Sequence, residues 1–214
     1  MKPVFRCSSL GALMANPKGS GFSVTAISEL KQLIKEDIYS YQSQISSKYL
    51  DKGNMCEADS LALYNQVTGG NWTKNSERIT KEFDHFILTG ECDIHRVGYG
   101  ITDLKTAWSL ETFPCFIDDA LKKEYDWQLR GYMFLYGETS AEIAYCMVDT
   151  PDELCKYENQ ALHKVSHIPP ELRVTLAQIE RDAKIEDSIV TRLNSLGAEF
   201  TRLRKLLLEE KGLA

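Results

Sequence analysis

The sequence predicts an α/β fold, in which a group of β-strands in the middle of the chain is flanked by helices. Three observations predict it. Apolar residues recur at helical spacing near both ends of the chain, extended segments cluster between residues 76 and 107, and a further strand follows near residue 141. The 214 residues are enough for one sizeable core and too few for two, so we expect a single domain over residues 1–214.

The first third of the chain predicts a loop followed by two helices. The stretch 16–23 is rich in Gly, Pro, Ser and Lys, which is typical of a loop. A first helix is expected over 25–44, with Thr25 or Ser28 as its N-cap. A second helix is expected from about 48 to 67, because a pair of glycines follows it as a stop signal.

The rest of the chain predicts strands and helices in turn. Alternating apolar residues bounded by turn signals indicate three strands, over 76–83, 86–95 and 98–107. Three later elements follow from their periods: a helix over about 118–136, a strand over 141–148 and a long amphipathic helix over 182–210. The segment 173–179 fits a strand or a helix equally well by its period alone.

Composition restricts the class of protein more than its function. Apolar residues make up 43% of the chain, and no apolar run approaches the ~20 residues that span a bilayer. The first 20 residues lack the apolar core of a signal peptide, so we expect a cytoplasmic protein without a membrane partner. The net charge of −6 is not typical of a simple nucleic-acid binder, although carboxylates gathered around a cation can produce it.

The six cysteines predict no metal cluster. They are Cys7, Cys56, Cys92, Cys115, Cys146 and Cys155. No CxxC pair and no close spacing occurs among them, whereas a structural zinc or an iron–sulfur cluster needs closer pairs. We therefore expect buried free thiols and no iron–sulfur cluster.

Two acidic residues and a lysine form the most informative pattern. Asp103 and Lys105 lie two residues apart on a predicted strand, so their side chains point to the same face, while Leu104 points to the other. A turn after Asp93 would return the chain so that Asp93 lies beside Asp103. Two adjacent carboxylates repel each other unless a cation lies between them, and Mg²⁺ prefers oxygen ligands.

Two further features lie in chain order around this pattern. Glu57 lies on the second predicted helix, and Gln128 lies one helical turn before Tyr132. Each alone is most simply a solvated helix residue, and an isolated Asp-x-Lys is most simply a surface ion pair. The four features in this order instead favour a metal-dependent site for phosphodiester hydrolysis.

At this point the residues resemble a known family. The segments that carry the resemblance are Gly53-Asn54-Met55-Cys56-Glu57, Gly90-Glu91-Cys92-Asp93, Asp103-Leu104-Lys105 and Gln128-Leu129-Arg130-Gly131-Tyr132. In this order they resemble the motifs of the PD-(D/E)XK nucleases, and more narrowly those of the lambda exonuclease branch, over about residues 5–210. The resemblance implies a restriction-endonuclease-like core, a central mixed β-sheet flanked by helices, and a strand over 173–179. Cys92 departs from the pattern, because the family usually has proline there.

The resemblance also implies roles for the acidic and basic residues. Asp93 and Asp103 would bind the metal, together with the backbone carbonyl of Leu104. Lys105 would be the catalytic lysine, and Glu57 would take part in both the metal site and catalysis. The implied metal is Mg²⁺, with Mn²⁺ as the alternative.

Further residues are implied in catalysis and in DNA binding. Gln128 would complete the metal and water site. The residues implied in DNA binding are Arg6, Ser8, Ser9, Leu50 and Tyr132. Among them Leu50 resembles an apolar wedge that splits the terminal base pair, and the segment that begins at Arg6 resembles one that helps to bind a 5′ phosphate.

The function that the resemblance implies is an exonuclease, with a phage origin, that digests one strand of duplex DNA from a 5′ end for recombination or repair. Such enzymes resemble rings, with a trimer favoured, and a single-strand annealing protein is the expected protein partner. In a ring, Lys48, Lys52, Lys74 and Lys81 would face the DNA. Two alternatives stay open: a structure-specific endonuclease with the same core, and a non-enzymatic acidic adaptor that binds a partner through its C-terminal helix.

Overall fold

The computed structural model describes residues 1–43 and 47–213, and it confirms the predicted α/β class, with mixed β-sheets flanked by helices. The strands are β1 (Val4–Arg6), β2 (Ile79–Glu82), β3 (Ile87–Gly90), β4 (Ile94–Arg96), β5 (Gly100–Thr106), β6 (Ser140–Cys146) and β7 (Val174–Glu180). The helices are α1 (Leu10–Leu13), α2 (Val24–Tyr39), α3 (Lys48–Met55), α4 (Glu57–Thr68), α5 (Ile117–Ala120), α6 (Lys123–Tyr136), α7 (Asp152–Cys155) and α8 (Ala183–Glu210).

The strands form two sheets. In the three-stranded sheet, β1 lies parallel to β3 and β2 lies antiparallel on the other side of β3. The four-stranded sheet has the order β4-β5-β6-β7, with only the central pair parallel. The single strand predicted over 86–95 is divided between the sheets after Gly90. A side chain at Gly90 would collide with Cys7 Sγ and the Tyr132 ring, so glycine permits this close passage.

The first predicted helix, which corresponds to α2, differs from its prediction at both ends. Ser23, and neither Thr25 nor Ser28, caps α2, because its Oγ accepts a hydrogen bond from the Ala26 N–H at 3.1 Å. The helix ends at Tyr39, and the predicted end at residue 44 lies outside the described residues.

The second predicted helix is broken at Cys56 into α3 and α4. Lys52 Nζ is buried and donates hydrogen bonds to the carbonyls of Ala107 (2.7 Å), Trp108 (3.0 Å) and Val148 (2.9 Å). These bonds hold α3 against the ends of β5 and β6, while α4 packs across β5. The prediction that Lys52 faces DNA in a ring is therefore wrong, because its ammonium group is buried inside the chain.

The four-stranded sheet separates two apolar cores. On β5 and β6, Ile101 and Ile143 face the larger core with α6 and α8, whereas Leu104 and Ala144 face a smaller core with α4. This alternation follows from the two-residue period of a strand. Asp103 lies two residues after Ile101, so β5 presents its polar end toward α6.

The last helix, α8, packs on the larger core, and the cysteines form no disulfide bonds. Residue Asp182 caps α8 through the N–H groups of Lys184 and Ile185, and the apolar face of α8 is buried in the larger core as far as Phe200. All six cysteines are free thiols; five are buried as predicted, whereas Cys115 is exposed. Across residues 1–43 and 47–213, no helix is both long and apolar enough to cross a membrane.

Candidate active site

A cavity of about 540 Å³ opens where β4 begins beside β5. Of the eleven residues predicted to form the site, nine line it, and the two others are Arg6 and Ser9. The nine are Ser8, Leu50, Glu57, Asp93, Asp103, Leu104, Lys105, Gln128 and Tyr132. They come from α3, α4, β5, α6, the 3-10 turn Cys7–Ser9 and the loop before β4, so the fold gathers segments that are far apart in the chain.

The start of β4 places the two central carboxylates side by side. Pairing between β4 and β5 stops at Ile94, which lies opposite Thr102, so Asp93 falls just beyond the paired region. Asp93 Oδ2 accepts a hydrogen bond of 2.7 Å from the backbone N–H of Leu104. The carboxylate thereby replaces a strand neighbour and lies next to the carboxylate-bearing segment of β5.

Asp103 is held from two sides. Gln128 Nε2 donates to Asp103 Oδ1 at 3.1 Å and also to the hydroxyl of Tyr132 at 3.0 Å. Lys105 Nζ lies 2.6 Å from Asp103 Oδ2, and it lies 4.9 Å from the centre of the Tyr125 ring. Gln128 and Tyr132 are both buried.

The cluster of Asp93, Asp103 and Lys105 carries more negative than positive charge when both carboxyl groups are ionised. Burial, followed by the charge of Asp103, raises the pKa of Asp93 well above its usual range. Burial lowers the pKa of Lys105, but the opposing charge and hydrogen bond of Asp103 leave it raised overall, so the ammonium stays protonated. One cation therefore faces two carboxylates within the same cleft.

These donors fit a divalent cation such as Mg²⁺. Asp103 Oδ2 is buried and lies 2.6 Å from the Lys105 ammonium, and a carboxylate oxygen with one such partner keeps a further lone pair for a metal ion. Two carboxylates suit Mg²⁺, which keeps several of its waters and needs few protein ligands. Within the described ranges, no three His, Cys, Asp or Glu side chains form a ready-made cage, so substrate and water oxygens would complete the coordination.

Glu57 lies at the edge of the same cavity, but its carboxylate is already engaged. Lys74 Nζ approaches Glu57 Oε1 to 2.5 Å, and both side chains remain partly exposed. The hydrogen bond to Glu57 raises the pKa of Lys74. Participation of Glu57 at a metal would thus require the partly exposed ion pair with Lys74 to open, at a cost of less than about 1 kcal/mol.

A second cavity of about 550 Å³ adjoins the first and shares Ser8 and Tyr132 with it. Arg6 lines this second cavity, and so does Arg78, which forms an ion pair of 2.9 Å with Glu91. Ser9 lines neither cavity, because its hydroxyl donates to Glu29 Oε1 on α2 at 2.7 Å.

Sequence reasoning missed three tyrosines of the main cavity. They are Tyr49, Tyr125 and Tyr145. Tyr125 lies one helical turn before Gln128, so helical spacing could have identified it. Tyr145 lies beside Lys105 only through the parallel pairing of β5 with β6, which no local pattern reveals.

No protein-family model and no curated protein matches this chain. A solved structure of a phage-related exonuclease from Haemophilus somnus 129PT is 30% identical, with a TM-score of 0.84, and the match covers 98% of this chain and 96% of that one.

Two further solved structures share the fold at lower identity. An alkaline exonuclease from Laribacter hongkongensis, LHK-Exo, is 15% identical with a TM-score of 0.74, over 98% of this chain and 94% of that one. The complex of LHK-Exo with dAMP is 17% identical with a TM-score of 0.73, over 97% and 92% of the two chains.

Two buried tyrosines provide a test of which polar groups stabilise the fold. Tyr64 donates a hydrogen bond of 2.8 Å to the buried Glu142, whereas the hydroxyl of Tyr145 has no partner among the described residues. We expect Tyr64→Phe to lower the free energy of unfolding by about 1 kcal/mol or more. Tyr145→Phe should leave it unchanged or raise it, as measured by urea unfolding. An equal loss in both variants would contradict this assignment.

Proposed function

Because the chain belongs to the lambda-exonuclease-like branch of the PD-(D/E)XK nucleases, we propose that it is a metal-dependent DNA exonuclease that digests one strand of a duplex from a 5′ end. The observation that carries the proposal is the cavity in which Asp93, Asp103 and Lys105 lie together. An adaptor would have no need of two carboxylates and a lysine in one cleft, and the apolar face of α8 is buried in the core as far as Phe200.

The proposed chemistry assigns each side chain a task. Asp93 and Asp103 would hold Mg²⁺, or alternatively Mn²⁺, with the Leu104 carbonyl and Glu57 as further proposed ligands. Such a cation would supply polarisation of the scissile phosphate and a lower pKa for the attacking water. Lys105, which remains protonated, would stabilise the negative charge that develops on the phosphate.

Gln128 and Tyr132 would support this arrangement from α6. The amide of Gln128 joins Asp103 to Tyr132, so the carboxylate is fixed before substrate arrives. A metal-binding carboxylate that is held in this way loses little conformational freedom when the metal ion and substrate bind, which favours fast hydrolysis.

The adjoining cavity supports the proposed 5′ polarity. Arg6 contributes a guanidinium group to it, as does Arg78, which pairs with Glu91 in the same cavity, and Ser8 contributes a hydroxyl where it meets the main cavity. Guanidinium groups bind phosphate oxygens through paired hydrogen bonds. A 5′ phosphate in this cavity would place the next phosphodiester near Asp103, and Leu50, which is exposed at the rim, would separate the terminal base pair.

A homo-oligomeric ring, with a trimer favoured, is proposed together with this function, as are a role in recombination and an annealing protein as partner. Of the lysines expected to face a channel, Lys52 is excluded by its burial. Lys48 and Lys74 pair with Glu158 and Glu57 in the single chain. Lys81, on β2, is exposed and lies 4.4 Å from the centre of the Phe134 ring, so it can still face a channel, and further positive charge for DNA would have to come from the neighbourhood of the site.

A structure-specific endonuclease with the same core is the alternative function, and the choice of DNA substrate separates the two. An exonuclease that starts at 5′ ends degrades linear duplex DNA and leaves covalently closed circles intact. Rapid cleavage of closed circles that carry an unpaired bubble, with no preference for ends, would favour the endonuclease.

Replacement of the lysine tests the catalytic assignment. We expect Lys105→Gln to lower kcat on linear duplex DNA by about 10²–10³-fold, because a fixed positive charge near the phosphate is lost. Lys211→Gln, an exposed lysine at the end of α8, is the matched control and should keep the parental rate. Circular dichroism verifies that both variants fold. Parental activity in a folded Lys105→Gln variant would exclude the proposed site.

Removal of one carboxylate tests the metal assignment. Since the Asp93 pKa is raised, its charged form costs stability at neutral pH, and Asp93→Asn should raise the free energy of unfolding without metal by about 1 kcal/mol or more. The parental protein should gain about 2.7 kcal/mol at a Mg²⁺ concentration of 100 Kd. Asp93→Asn should lose that gain, and the exposed control Asp118→Asn should keep it, in urea unfolding with Mg²⁺ or EDTA.

The 5′-phosphate assignment is tested with two DNA ends. We expect the parental enzyme to prefer a 5′-phosphorylated duplex to one with a 5′ hydroxyl, and Arg6→Ala to reduce that preference about tenfold because a charge-assisted contact is lost. Arg202→Ala, on the exposed side of α8, is the control. If the ratio of kcat/KM for the two ends is the same in Arg6→Ala and the parent, the adjoining cavity does not bind the terminal phosphate.

A further inference from the structure

We infer that Tyr49, at the start of α3, is a stacking platform for an unpaired nucleobase next to the scissile phosphate. The inference rests on the proposed function and adds to it a residue that no nuclease motif contains. It also goes beyond the wedge role of Leu50, because it assigns a binding surface for the base after the pair has opened.

Tyr49 lies on the wall of the candidate active site. Its side chain lines the same cavity as Asp93 and Asp103, and 57% of its surface is exposed. Phosphate and base of one nucleotide are joined through a single sugar. A base that leaves the duplex while its phosphate lies at the carboxylates therefore reaches the wall formed by Tyr49 and Leu50.

The residues around Tyr49 hold its ring in place and leave one side of it exposed. The ring packs edge-to-face on the buried Trp108, with 5.3 Å between centroids and 69° between planes. Trp108 Nε1 in turn donates to Glu158 Oε2 at 3.1 Å. An aromatic ring that is immobilised before binding loses little entropy when a base stacks on it.

Glu158 joins several groups behind this platform. Lys48 Nζ lies 2.5 Å from Glu158 Oε1, and His163 Nε2 lies 3.0 Å from Glu158 Oε2. Lys48 also stands 4.7 Å from the Trp108 ring centre and 5.5 Å from that of Tyr49. Lys48 is thus an ion-pair partner of Glu158 that also lies over both aromatic rings, and these contacts help to fix the Tyr49 ring.

Lys52 links the platform to the catalytic strand. Its three hydrogen bonds reach the carbonyls of Ala107, Trp108 and Val148, at the ends of β5 and β6. Since β5 also carries Asp103 and Lys105, the distance between Tyr49 and the carboxylates is set by buried contacts rather than by a loop. Such rigidity suits a binding surface that must stay in register with the chemistry.

Other exposed tyrosines do not share this setting. Tyr39, Tyr41, Tyr99 and Tyr157 are at least 41% exposed, and none of them lines the main cavity. Stacking also suits a nuclease that digests any sequence, because every base has a π face and no hydrogen-bond pattern is read.

The experiment combines protein variants with abasic DNA. Single-turnover rates are measured in Mg²⁺ on 5′-phosphorylated duplexes that carry one abasic nucleotide at the first, second or third position. We expect the parental enzyme and Tyr49→Phe to slow about tenfold at one of these positions, the size of one lost stacking contact. Tyr49→Ala should be about tenfold slower on intact DNA and should lose nothing more at that abasic position. Tyr157→Ala is the control and should behave as the parent.

The pattern of rates separates the outcomes. If the effects of Tyr49→Ala and the abasic nucleotide multiply at every position, or if Tyr49→Ala keeps the parental rate, the stacking role is overturned while the nuclease function stands. If the parental enzyme cleaves no DNA, the proposed function itself fails. Circular dichroism checks folding, and Tyr49→Leu, which keeps an apolar side chain on Trp108, replaces the alanine variant if that variant unfolds.

Discussion

The repulsion between two neighbouring carboxylates is the constraint on which this structure depends. Asp103 is buried and Asp93 is half-buried beside it, and a pair of like charges at such a place is costly unless other groups compensate it. The surrounding groups act as partial compensation: one backbone N–H, one amide and one ammonium group reach the pair. None of these removes the excess negative charge, so the cleft is suited to receive a cation, and the protein keeps an arrangement that does not favour its own stability.

Short segments of the chain hold Asp93 and Asp103 close to each other. Strand β4 has only three residues, and its start leaves room at the edge of β5 for the Asp93 carboxylate. Gly90 lets the chain pass from one sheet to the other against Tyr132, and α6 brings Gln128 onto Asp103. A longer β4 would have covered this edge with backbone hydrogen bonds. The interruption of the sheet before β4 therefore leaves the Asp93 and Asp103 carboxylates accessible from the cavity.

Local patterns explain what could be predicted from the sequence. The two-residue period of a strand placed Asp103 and Lys105 on one face, turn signals and glycine stops located most elements, and the resemblance made 173–179 a strand, as observed in β7. Long-range packing explains the rest. A three-residue strand such as β1 has no detectable period, the break at Cys56 depends on the burial of Lys52, and Tyr145 reaches Lys105 only through parallel pairing across forty positions of sequence.

The distribution of charge then explains how a chain with a net charge of −6 can act on a polyanion. Affinity for DNA depends on where basic groups lie, since a phosphate interacts with charges within about one Debye length, ~8 Å at physiological ionic strength. Arg6 and Arg78 line the cavity beside the site, and Lys105 lies within the site. A bound divalent cation would add two further positive charges at the same point. The acidic remainder of the surface would repel DNA elsewhere, which favours engagement at the cleft over unspecific binding along the duplex.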